Sequence, residues 1–132
     1  MQPRFCYNKR AQETLAAFVN GGRFPHALLL EGPEGSGRRT FAREIAAALF
    51  CRGEHKPCGS CSQCRKVLER NHPDVEYYGG DGSRRSFHID TIRQLRQNAW
   101  LLPGEAPCRV CVLCGAENMT DQAQNALLKI LE

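Results

Sequence analysis

Apolar positions along this chain alternate between two rhythms. Leu15 and Phe18 share one face of a segment that Asn8 can cap and that Gly21 and Gly22 can stop, so a helix is expected through Val19. After Pro25, the short unbroken run of Ala27, Leu28, Leu29 and Leu30 suits a buried strand over 27–31. Phe41, Ile45 and Leu49 return at helical spacing and predict a helix from about Gly37 to Leu49. Val67 and Leu68 suggest a short helix after Cys64, and Asn71, His72, Pro73 and Asp74 turn the chain into a second strand over Val75 to Tyr78. Gly79 to Ser83 has the composition of a loop. Ile92, Leu95 and Ala99, with Asp90 near the start, predict a crossover helix over Ile89 to Trp100 that Pro103 and Gly104 end. A third, buried strand is expected over Arg109 to Cys114. A last helix is expected from Thr120 and Asp121 that buries Ala123, Leu127 and Ile130. Strands alternating with helices predict an α/β fold with a parallel sheet built from right-handed crossovers.

The link between the first strand and its helix carries candidate chemistry. Gly32, Gly35 and Gly37 lay out a phosphate-binding loop in the strand, loop, helix setting that such a loop requires. Glycines let backbone N–H groups curl around phosphate oxygens at a helix N-terminus, while a Lys neutralises the outer phosphates and a Ser or Thr holds magnesium. Here Arg38 and Arg39 stand at those two places. A planar guanidinium is no substitute for a compact ammonium in a tight loop, and it cannot coordinate a cation. Thr40 offers a hydroxyl one position late, turned by roughly 100° about the helix axis. Two readings are open: a glycine turn that starts a helix without a ligand, and a phosphate-loop fold with impaired hydrolysis. A working site also needs, at the end of the third strand, an Asp for magnesium and a Glu for water. Cys114 and Gly115 occupy those places, and Glu117 beyond them reads as a surface carboxylate.

Seven of the eight cysteines fall into two patterns. Cys51, Cys58, Cys61 and Cys64 follow the spacing Cys-x6-Cys-x2-Cys-x2-Cys, with Pro57 and Gly59 supplying the turn. Four thiolates on tight turns suit tetrahedral zinc, and a shell closed by sulfur leaves no position for water, so the metal would be structural. An iron–sulfur cluster is the rival, but a ferredoxin run needs a further Cys where Leu68 stands. His55 and His72 lie near enough in sequence to replace a thiolate, against the simpler reading of surface histidines. Cys108, Cys111 and Cys114 repeat the two-residue gap but fall on a strand. Residues three apart on a strand face opposite ways, so these three are expected to be buried thiols without a metal.

At 132 residues and 42% hydrophobic content, one domain or part of one is expected. Apolar runs such as Ala46 to Cys51 are far short of the roughly 20 residues that span a bilayer. The first eight residues have no apolar signal segment, which predicts a cytoplasmic chain with reduced thiols. The net charge of +4 is scattered over pairs at Arg38 and Arg39, Arg84 and Arg85, and Arg93 and Arg96. That is a mild bias, without the aromatic interleaving of a nucleic-acid module.

Taken in order, Pro25-His26-Ala27, the glycine loop, the four cysteines, His72-Pro73-Asp74 and the Asn125 to Lys129 segment resemble the AAA+ subunits of the bacterial DNA polymerase III clamp loader, the related gamma/tau and delta prime subunits. The resemblance runs nearly end to end. It implies an AAA+ phosphate-loop type sheet with flanking helices, and structural zinc on Cys51, Cys58, Cys61 and Cys64. Gamma/tau subunits carry intact lysine and acidic motifs, whereas delta prime subunits commonly carry degraded ones, and Arg38, Arg39, Cys114 and Gly115 resemble the delta prime type. The implied role is a non-hydrolysing subunit that helps hold the loader together. Its gamma/tau and delta neighbours would place the sliding clamp on primed DNA. The alternatives are an active gamma/tau-type ATPase and a stand-alone zinc-ribbon nucleic-acid module. The family's AAA+ sheet has a further strand between the first and third, then lid and collar domains. Residues 1–132 are therefore expected to be the N-terminal part of such a domain, C-terminally truncated, with a zinc module at about 51–70. The gap in the sheet predicts a marginal, aggregation-prone monomer.

Overall fold

Of the 132 residues, the computed structural model describes 8–79 and 89–131, and these divide between His72 and Pro73 into two units. The amino-terminal stretch, the loop expected beyond Gly79 and the Arg84–Arg85 pair lie outside the described residues. No described helix is long and apolar enough to cross a membrane.

In the first unit, Asn8 Oδ1 accepts a hydrogen bond from the Ala11 N–H at 3.0 Å and opens α1 (Lys9–Gly21). Gly22, left-handed at φ 66°, closes it by donating its N–H to the Val19 carbonyl. Helix α1 lays Leu15 against Phe41 and Ala48 of α2 (Arg38–Phe50), with Val19, Phe24, Leu30 and Ile45 around them. Three consecutive residues of α2, Ala46, Ala47 and Ala48, are at most 1% exposed, so this helix is covered on more than one side. Their small side chains leave room for α3 (Ser62–Leu68), whose Cys64 and Val67 are fully buried. The helix expected after Cys64 thus starts earlier. Cys61 caps it, its Sγ accepting from the Cys64 N–H at 3.4 Å.

The strand expected over 27–31 does not form. Leu30 packs into the α1–α2 cluster, while Leu28 and Leu29 are 44% and 79% exposed. Apolar composition favours burial, but a strand needs a neighbour to take its N–H and C=O groups. Among the described residues the single sheet has two strands, and neither includes this segment.

The second unit runs β1 (Val75–Gly79), α4 (Ile89–Ala99), β2 (Val110–Cys114), a 3₁₀ turn (Ala116–Asn118) and α5 (Asp121–Leu131). The strands pair in parallel, Val75 opposite Val110 through Gly79 opposite Cys114. Tyr78, Ile92, Leu95, Met119 and Ala123 form the core, with Cys111, Leu113, Leu127 and Ile130 partly buried at its margin. Strand β2 is half-buried throughout, where burial was expected. A two-stranded ribbon cannot cover both of its faces. Thr120 Oγ1 caps α5 by accepting from the Ala123 N–H at 3.1 Å.

Asp74, 1% exposed, ties this unit together. Its carboxylate accepts from the N–H groups of Gly104 at 2.7 Å and of Glu105 and Ala106 at 2.8 Å, and Arg109 Nη1 lies 3.9 Å away. Arg109 also bonds Glu76, which accepts from the Tyr78 hydroxyl, which in turn accepts from Asn98 Nδ2 at 3.0 Å. Burial, with the Glu76 hydrogen bond behind it, pushes the Tyr78 hydroxyl up to about 12.

Candidate metal centre

Helix α2 ends at Cys51, which takes extended backbone angles and sends the chain into the turn that carries Cys58. Gly59, left-handed at φ 74°, reverses it toward Cys61, and the first turn of α3 delivers Cys64. The four Sγ atoms all lie within 4.8 Å of one another, and Cys58 and Cys64 are 4.0 Å apart. Bonds of about 2.3 Å to a tetrahedral zinc give sulfur–sulfur edges of about 3.8 Å, so the set fits a closed four-sulfur shell. The cradle is tight. A Cβ on Gly53 would meet Cys58 Cβ at 3.0 Å and its Sγ at 3.2 Å.

Backbone donors converge on the sulfurs. Cys51 Sγ accepts from the N–H groups of Gly53 and Cys58 at 3.3 Å, and Cys58 Sγ from Ser60 at 3.4 Å and Cys61 at 3.2 Å. The Ser60 hydroxyl adds a contact to Cys58 Sγ at 3.6 Å. Such donors favour the thiolate. The Ser60 N–H first, then that of Cys61, lowers the Cys58 thiol to about 5. At Cys61, burial pushes upward, but the backbone donors of Arg52 and Cys64 outweigh it and the thiol is lowered. Cys64 is raised by burial. A metal cation would replace the proton that burial keeps there.

The histidines divide. His55 is exposed, but His72 is no surface residue: it is 4% exposed, hydrogen-bonded to Gln63 and set against the Phe50 ring at 4.9 Å. Neither joins the sulfur group. Cys108, Cys111 and Cys114 are not gathered, and among the described residues the four-cysteine set is the single metal-ligating group. Burial pushes the thiols of Cys108 and Cys111 up, as for small apolar side chains.

The glycine loop keeps its turn. Ser36 N–H bonds the Pro33 carbonyl at 3.1 Å, Gly35 and Gly37 are left-handed, and Gly37 starts α2 without any side-chain cap. Arg38 and Thr40 are half-buried in the first turn of α2, and Arg39 is exposed. Gly32 stands where a Cβ would meet Ser36 Oγ at 2.9 Å. In the second unit, Cys114 closes β2 and Gly115, left-handed at φ 77°, leads into the 3₁₀ turn that carries exposed Glu117. Neither place holds a carboxylate. Spacing reasoning missed the Ser60 contact, the Gln63–His72 bond and the Asp74 hub. A Ser inside a Cys-x2-Cys turn was the one signal available.

A family model described as DNA polymerase III, delta subunit, matches residues 7–132. The chain is 36% identical over 113 residues to the DNA polymerase III subunit delta' of Yersinia pestis, covering 84% of this chain and 33% of that protein. It is 32% identical over 125 residues to the delta' subunit of Bacillus subtilis, covering 93% and 37%. It is also 32% identical over 120 residues to the DNA polymerase III subunit gamma/tau of Mycobacterium tuberculosis, covering 89% and 21%. The chain therefore spans about a third of the length of these delta' relatives.

Proposed function

Because the chain belongs to the DNA polymerase III delta-subunit family, we propose that it serves a bacterial clamp loader as a delta prime-type subunit that does not hydrolyse ATP. One observation carries this reading: both places that a phosphate-loop enzyme fills with magnesium ligands are filled here by residues that cannot serve. Arg39 stands at the hydroxyl position in the first turn of α2, and Cys114 closes β2 with Gly115 directly after it. Magnesium demands hard oxygen ligands in octahedral array, which a guanidinium, a thiol and a hydrogen atom do not supply. Thr40 sits on the next radial position of the helix. The loop would thus keep an anion-binding shape without the charge geometry that drives phosphoryl transfer.

In this role residues 1–132 form the N-terminal part of an AAA+ domain with a zinc module at about 51–70. The partners are gamma/tau and delta subunits, with the sliding clamp and primed DNA engaged through the assembly in the cytoplasm. Cys51, Cys58, Cys61 and Cys64 would hold one zinc ion. The ion would supply a four-way crosslink, and the N–H groups of Gly53, Ser60 and Cys61 would orient the thiolates toward it. Elemental analysis of metal-replete protein is expected to give one zinc per chain.

Steady-state ATP turnover tests the main claim, and a rate at buffer background is expected. Turnover above background that Arg38→Ala abolishes would instead favour an active gamma/tau-type ATPase, a reading supported by the likeness to the M. tuberculosis gamma/tau subunit.

A further inference from the structure

His72 stands between two helices and touches, on each, the residue that precedes a cysteine of the cluster. On the α2 side its ring centre lies 4.9 Å from that of Phe50, directly before Cys51. On the α3 side its Nε2 bonds Gln63 Oε1 at 2.5 Å, directly before Cys64. An amide oxygen only accepts, so Nε2 carries the proton of this bond. Cys51 and Cys64 are the buried members of the sulfur set, whereas Cys58 and Cys61 are half-buried. Phe50, Gln63 and His72 are themselves at most 4% exposed.

The chain makes a strained turn to bring His72 there. Arg70, at φ 61°, is the sole residue other than glycine with left-handed angles among the described residues. The N–H groups of Arg70 and Asn71 donate to the Val67 and Lys66 carbonyls at 3.1 and 2.9 Å, which folds the chain back along α3. Side chains in this region of backbone space carry strain that the surroundings must offset. Bulk alone does not account for the arrangement. An apolar ring would fill the same space without burying two polar groups that are costly unless they meet. What the pair adds is direction. Cys58 and Cys61 share one turn, but Cys51 and Cys64 are carried by different helices, so their separation depends on how α2 and α3 are held together. Four sulfurs that close on one ion tolerate errors of only a few tenths of an ångström, and a short, buried hydrogen bond is a tie of defined length.

We infer that His72 is a positioning residue of the cysteine centre: through Phe50 and Gln63 it sets the separation of Cys51 and Cys64 at which the four sulfurs would close on a metal ion. The inference rests on the proposed zinc site and deepens it. The test loads the natural-length protein and its variants with zinc and with cobalt(II), whose visible absorption among tetrahedral sulfurs reports the angles at the metal. His72→Phe keeps a ring against Phe50 and removes the donor, and Gln63→Leu removes the acceptor from the other side. Each is expected to weaken zinc binding about tenfold in competition with a chromophoric chelator. The double variant should lose about tenfold as well, not a hundredfold, because both changes take away one bond. At saturating cobalt(II) both single variants should shift the visible bands, and His72→Gln, which returns an amide N–H to the place of Nε2, should restore them. A His72 that serves the fold alone would lower the unfolding midpoint of the metal-free protein and leave the saturated cobalt spectra identical to that of the wild type, which would overturn the inference. Unchanged zinc affinity in both single variants would overturn it too, with the metal site left standing. A wild type that takes up neither zinc nor cobalt(II) would overturn the metal site and the inference together.

Discussion

The turn over 51–64 and the loop over 104–106 use one device toward different ends. In each, successive backbone N–H groups point at a concentrated negative charge. Around the cysteines the charge is spread over sulfurs, and burial leaves the Cys64 thiol protonated. At the loop, the Asp74 carboxylate takes three N–H bonds from Gly104 to Ala106 and has Arg109 beside it. The first arrangement would need a cation to be complete, and the second is complete within the chain. Stability in the first unit should therefore depend on the metal supply, and stability in the second should not.

The sharpest way to break this contrast is to remove the metal. With zinc held at a thousandfold above its Kd, the first unit should gain about 4 kcal/mol over the chelated protein in urea unfolding, and Cys64→Ser should erase the gain. An unfolding curve indifferent to chelator would show that the cysteine turn is as self-sufficient as the Asp74 loop. Next in size, Asp74→Ala leaves three N–H groups without their acceptor and takes from the Arg109 guanidinium one of its two carboxylates, Glu76 remaining. It should cost about 3 kcal/mol with or without zinc. Gly53→Ala probes the fit of the cradle: its Cβ would press on Cys58 at 3.0 Å, and about tenfold weaker zinc binding is expected by competition with a chromophoric chelator.

The smallest effect belongs to Tyr78. Its folded-state value of about 12 lies above the ordinary 10, so the fold prefers the protonated hydroxyl. That contribution is complete below pH about 10 and is lost as pH rises through about 12. Tyr78→Phe should flatten the decline of stability over this window relative to wild type. Equal slopes for the two proteins would remove Tyr78 from the Asp74–Arg109–Glu76 network.

The same contrast explains what could be read from the sequence. The four cysteines were legible because their ligand geometry is set within fourteen residues, and helix periodicity likewise placed α2, α4 and α5. Strands β1 and β2 were legible from short apolar runs, but the equally apolar run over 27–31 was not a strand, because pairing depends on a neighbour and not on composition. The Asp74 hub joins residues about thirty positions apart, and nothing in a local pattern announces that a turn carboxylate will collect the amides of a distant loop. His72 was misjudged for the same reason, since its burial depends on Gln63 and Phe50, nine and twenty-two residues upstream. The glycine loop was legible as a shape. Its chemistry had to be argued from the side chains that are missing.

Helix α2 begins on that loop, at Gly37, and ends on the first member of the cysteine cluster, Cys51. Its thirteen residues make a rod about 20 Å long, sheathed at its alanine centre by neighbours that allow it little room to bend. Mechanically, the two ends are a lever. If a metal ion occupies the cysteines, tilt imposed on that end as it leaves or returns would arrive at the glycine end as a displacement of its N–H groups. A spectroscopic label at position 39 would then report on metal binding at Cys51, at the other end of the helix.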